Sequence, residues 1–155
     1  NDDQLLWQKA YDAYETRKNG VIYKDHPFIS NIRLMVSGIE EMDVDKIRSF
    51  YDENARIYDV MNSGEFEFMT LEEEITNIKN AFKAYEIIYI EEVGYPDALA
   101  YEGGNVVILS WWKMRIKNRN SGKIATVMQH LQHTLNKEGK IAREDYYFNP
   151  AQFPE

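Results

Sequence analysis

Apolar positions recur with a helical period through the first half of the chain and with a period of two through the second. Leu6, Ala10, Tyr11 and Tyr14 predict a helix over residues 3–18, ended by Asn19–Gly20. A short polar connection then leads to Asp25-His26-Pro27, where Pro27 suits the first turn of a second helix. Phe28, Ile29, Ile32, Met35, Val36 and Ile39 form one unbroken stripe along that helix. Asp43 is placed to cap a shorter helix with Val44, Ile47 and Phe50–Tyr51 facing inward. Asp52-Glu53-Asn54 predicts a turn into a short strand at Ala55–Met61, broken by Asn62-Ser63-Gly64. Thr70-Leu71-Glu72-Glu73 reads as a capping box, and Leu71, Ile75, Ile78 and Phe82 carry that helix to about Tyr85.

From there five strand-like segments follow: Ile87–Val93, Ala98–Tyr101, Val106–Lys117, Lys123–Leu135 and Ile141–Phe148. Gly94-Tyr95-Pro96, Gly103-Gly104-Asn105, Asn118 to Gly122 and Asn136 to Lys140 supply the turns. Helices first and an antiparallel meander second predict an α+β domain. Alternation also assigns faces. In Val106–Lys117 the even positions, among them Ile108, Trp112, Met114 and Ile116, form the better buried side. The odd positions Val107, Leu109 and Trp111 leave an apolar outer patch suited to a second copy of the chain. In the next strand Gln129, Leu131 and His133 fall on the concave side. Parity with that register sends Glu144, Tyr146 and Phe148 inward from the last strand.

Composition narrows the chemistry. The 155 residues suit one domain, and 44% hydrophobic with 28% charged residues exclude wholesale disorder. A net charge of −8 argues against a nucleic-acid-coating protein. The acidic excess lies in the first two-thirds; Lys113, Arg115, Lys117, Arg119 and Lys123 make the last third basic, as a solvated strand face would. No apolar run approaches the roughly 20 residues of a transmembrane segment. With no cysteine, disulfides, thiolate metal sites and cysteine nucleophiles are excluded. The chain opens at Asn1, and together with the missing cysteine this gives the expectation of an exported periplasmic protein or lipoprotein whose leader was trimmed, a cytosolic gene being the alternative.

The 14% aromatic content, 11 tyrosines among it, fits either a ring-packed core or a pocket with aromatic walls and phenol rims. His130 and His133 have chelating spacing on a helix, but here they lie on a strand, which puts them on opposite faces and leaves no metal site. No phosphate loop, dinucleotide fingerprint, nucleophile elbow or H-E-x-x-H motif is present, and no cofactor is expected.

This order of elements, with the turn Asn136-Lys137-Glu138-Gly139-Lys140-Ile141 and then Asp145-Tyr146-Tyr147, resembles the nuclear transport factor 2-like superfamily, most of all its SnoaL-like and ketosteroid isomerase-like members. The resemblance spans roughly residues 28–149. It implies a domain over 27–155 preceded by a helical extension at 1–26. It also implies a cystatin-like cone, in which a strongly curved antiparallel sheet wraps the helices around an apolar pocket, and often pairs into a homodimer. In the isomerase-like members a carboxylate on the first strand moves the proton, and that position corresponds to Asp59. A carboxylate desolvated in such a cone would be a competent base. The oxyanion donors do not carry over: those positions fall on Met35 and Leu131. Each missing donor forfeits on the order of 3 kcal/mol of transition-state stabilisation.

Two functions therefore stand as expectations. One is a pocket protein for a small apolar or amphipathic molecule, walled by Met35, Tyr58, Trp112, Met114, Gln129 and Leu131 with Glu144, Tyr146 and Phe148. The other is a cofactor-independent isomerase or lyase of dehydratase type, with Asp59 and His133 as acid–base pair and Tyr58 or Tyr146 as donor. A protein-interaction adaptor using the Val107, Leu109 and Trp111 patch is a third.

Overall fold

The structure, a computed structural model, describes residues 20–62 and 67–155. The helix expected at 3–18 lies outside the described residues. The connection expected after it contains a strand, β1 (Gly20–Tyr23). Helix α1 (Pro27–Glu40) starts at His26, whose Nδ1 accepts a hydrogen bond from the Phe28 amide at 3.1 Å. Its stripe of Ile29, Ile32, Met35 and Val36 is buried. The short α2 (Val44–Ser49) is capped by Asp43, as expected. Strand β2 (Tyr51–Asp59) begins four residues before the expected strand, so Asp52-Glu53-Asn54 belong to a strand with a register shift rather than to a free turn. After β3 (Met69–Thr70), α3 (Leu71–Ala84) opens on the full Thr70–Glu73 capping box.

Strands β4 (Tyr85–Glu92), β5 (Asp97–Tyr101), β6 (Val106–Asn118), β7 (Ile124–Leu135) and β8 (Ile141–Phe148) follow, then a 3-10 turn at Pro150–Gln152. One curved sheet of eight strands runs β1-β5-β6-β7-β8-β2-β3, with β4 also paired to β6. The long β6 shares one edge between β5, along Val106–Leu109, and β4, along Trp112–Asn118. The wholly antiparallel expectation needs one correction: β2 and β8 pair in parallel. No tight hairpin joins these two strands, so turn geometry does not dictate their direction.

The core lies between the concave side of this sheet and the apolar faces of α1, α2 and α3, around Ile32, Met35, Ile47, Ile57 and Ile108. Alternation assigned the faces as the structure has them: Ile108, Trp112, Met114 and Ile116 of β6, and Val127, Leu131 and His133 of β7, are buried. No helix among the described residues is long and apolar enough to cross a membrane.

Candidate functional site

The register of β7 on β8 builds one wall of an interior cavity in layers. Cross-strand pairs are His133 with Glu144, Leu131 with Tyr146, and Gln129 with Phe148. Helix α3 closes the opposite side with Glu74, Asn77, Ile78, Ala81 and Phe82, while Met114, Ile116 and Ile87 complete the sheet side. The cavity volume is about 200 Å³. Its aromatic end is continuous: Tyr146 stacks on Phe148 at 5.7 Å, Phe148 meets Phe153 at 5.2 Å, and Phe153 meets Tyr85 at 5.3 Å.

The polar end is acidic. Glu144 is buried, and its Oε2 accepts from the Tyr51 hydroxyl at 2.6 Å and lies 2.5 Å from His133 Nε2. With Nε2 assigned as donor, one carboxylate oxygen is held by two buried side chains from two strands. His133 is fully buried, and its Nδ1 has no hydrogen-bond partner. Glu74, only 8% exposed, also lines the cavity, and its Oε2 has no partner. Burial pushes the Glu74 carboxyl up to about 8, with the Glu144 charge adding to the effect and an Asn77 hydrogen bond opposing it. At neutral pH Glu74 is therefore mostly a neutral acid facing Glu144. The same burial raises the Tyr51 hydroxyl, with Glu144 second. It raises Tyr146 too, followed by the charges of Glu74 and Asp59.

Seven of the residues expected at the site lie on this wall: Met35, Met114, Gln129, Leu131, Glu144, Tyr146 and Phe148. Four do not. Tyr58 faces outward, its ring 4.2 Å beneath the Arg143 guanidinium, because it neighbours Asp59 on a strand and so takes the other face. Trp112 packs in the core and donates from Nε1 to Ser110 Oγ at 2.9 Å. His133 sits behind Glu144 rather than at the cavity surface. Asp59 ends β2 and accepts from Asn62 Nδ2 at 2.8 Å, and its charge helps raise Tyr146. Asp59 and His133 are thus joined to different partners, Asn62 and Glu144, and not to each other.

Sequence reasoning missed Glu74, Tyr51 and Asn77. The signal for Glu74 was present: it interrupts the apolar stripe Leu71, Ile75, Ile78 and Phe82 on its buried side. Among the described residues no group of three or more metal-ligating side chains is placed to hold an ion.

No protein-family model and no curated protein sequence matches the chain. Solved structures do. The chain superposes on SalBIII, an epoxide hydrolase/cyclase-like enzyme in pyran ring formation of the polyether salinomycin, with a TM-score of 0.60 and 19% identity over 81% of this chain and 92% of that one. It superposes on IdmH of Streptomyces antibioticus, a proposed polyketide cyclase, with a TM-score of 0.62 and 10% identity over 82% and 95%. It also matches a ketosteroid isomerase-like protein from Erwinia carotovora atroseptica, TM-score 0.58 and 10% identity over 77% and 91%. The fold is the nuclear transport factor 2-like cone. At such identities the likeness is one of fold, and the chemistry of the cone rests on its own side chains.

Proposed function

We propose that this cone is a binding pocket for a small, largely apolar molecule whose polar end meets Glu74 and Glu144. One observation carries the reading: a buried carboxyl with an unpartnered oxygen belongs to the wall of a largely apolar cavity of about 200 Å³. A buried polar group without a partner costs about 1–3 kcal/mol, which a ligand's polar end would recover. Met35 and Leu131, where isomerase-like relatives of this fold would need polar donors, are instead apolar wall. Ala81 lines the cavity and is exposed, which puts it at the mouth. Ala81→Trp should therefore abolish calorimetric binding of 4-phenylbutanol while leaving the melting temperature nearly unchanged. Equal binding by the variant would contradict the pocket reading.

A second reading, a cofactor-independent isomerase or lyase, draws support from the pairing of a neutral acid with a hydrogen-bonded carboxylate. In it Glu144 takes a proton, Glu74 gives one, His133 positions Glu144, and Asp59 acts on Tyr146 through its charge. Faster exchange of the α-protons of 2-phenylcyclohexanone in D2O, lost in Glu144→Gln, is the expected result. A rate equal to that of buffer would exclude it.

We also propose a homodimer through the outer sheet face. There Trp111, 36% exposed, stacks on His130 at 5.0 Å, and His130 lies 5.5 Å from Tyr147.

A further inference from the structure

The residues around the cavity have an unbalanced charge. Glu74 and Glu144 both line it, and no lysine, arginine or histidine does so among the described residues. Glu144 already accepts bonds from Tyr51 and His133. Glu74 has one oxygen buried without a partner. A ligand that holds Glu74 as a carboxylate must bring hydrogen-bond donors and positive charge. A carboxylate or phosphate ligand would face two acids with no cation to offset them.

The rest of the wall decides what kind of cation. A hydrated metal ion would be poorly served: beyond the two carboxylates the lining adds only Asn77, Gln129 and tyrosine oxygens, and among the described residues no three His, Cys, Asp or Glu are grouped to hold an ion. An organic ammonium is served well. The carboxylates meet its N–H donors, while Tyr146, Phe148, Phe153 and Tyr85 bury its hydrocarbon.

We infer that the cavity selects an apolar amine, its ammonium seated at Glu74 beside Glu144 and its hydrocarbon part against the aromatic wall. The inference rests on the pocket reading above and names the class of molecule the pocket takes. The proton balance is simple. In the free protein Glu74 carries a proton at neutral pH. When the ammonium form binds, that proton leaves to solvent and the ion pair remains.

Three probes of one shape test this: 4-phenylbutylamine, 4-phenylbutanol and 4-phenylbutyrate, measured by titration calorimetry on the intact chain. At pH 7 the amine should bind about tenfold or more tighter than the alcohol, as expected for a charged hydrogen bond over a neutral one, and the butyrate weakest. Proton release should appear as a heat that depends on the buffer. Amine affinity should rise with pH up to about 8 and then level off. The groups facing Glu74 in that titration are Glu144 and Tyr146 of β8, Tyr51 and Asp59 of β2, and Asn77 of its own helix. Glu74→Gln should bring the affinity for the amine down to that for the alcohol, since the amide keeps the shape and loses the charge. The wild-type comparison stands without that variant. Alcohol binding equal to amine, or butyrate binding tightest, overturns the amine inference and leaves the pocket standing. Binding by none of the three overturns both.

Discussion

Glu74 makes the pH dependence of this protein readable from one side chain. Its carboxyl is pushed up to about 8 in the fold and returns to the ordinary glutamate range on unfolding. Between those values the folded chain binds more protons than the unfolded one, so stability falls as pH rises through the interval and levels above about 8. Discounted for partial solvation, the loss is on the order of 3 kcal/mol. Urea unfolding at pH 5 and pH 8.5 should show it in the natural chain and show it nearly abolished in Glu74→Gln. A natural chain equally stable at both pH values would contradict the burial of Glu74. This residue was legible as a charge within an apolar stripe, yet it follows Glu72 and Glu73, and three acids in a helix's first turn read as dipole and capping partners. Glu144 and Tyr146 were legible because a strand leaves only two faces to choose from. The partners of Glu144 were not, since Tyr51 and His133 reach it from other strands.

At the level of elements, local chemistry placed the three described α-helices and their starts. His26, Asp43 and Thr70 each cap a helix with their side chains. What local chemistry did not show was strand direction. β2 and β8 lie far apart in the chain, and their parallel pairing follows from closing the sheet around the helices. The strand at Gly20–Tyr23 read as a connection because only its pairing with β5 makes it a strand. The β7–β8 turn is tied to α1 by Asn31 Nδ2, which donates to the Gly139 carbonyl at 2.9 Å. Gly139 has φ +76°, and a Cβ there would stand 2.7 Å from that same nitrogen. Gly139→Ala should thus cost about 1–3 kcal/mol in thermal or urea unfolding, through strain and the lost tie. An unchanged midpoint would show that the turn adjusts freely.

For the whole molecule, the sheet's two faces carry different tasks. The convex face bears the Trp111–His130–Tyr147 stack, and light scattering at tens of micromolar should report a dimer that Trp111→Asp converts to monomer. A monomeric natural chain would end the dimer proposal without touching the cone. The concave face holds the cavity, and the central claim is that ligands enter there. Methyl groups report on both faces: Met35, Met114, Ile116 and Leu131 line the cavity, whereas Met128 and Ile124 are exposed. Methyl NMR spectra recorded during titration with 4-phenylbutanol should show saturable shifts for the first set and none for the second. Shifts confined to Met128 and Ile124, or no saturable shift at all, would contradict the account.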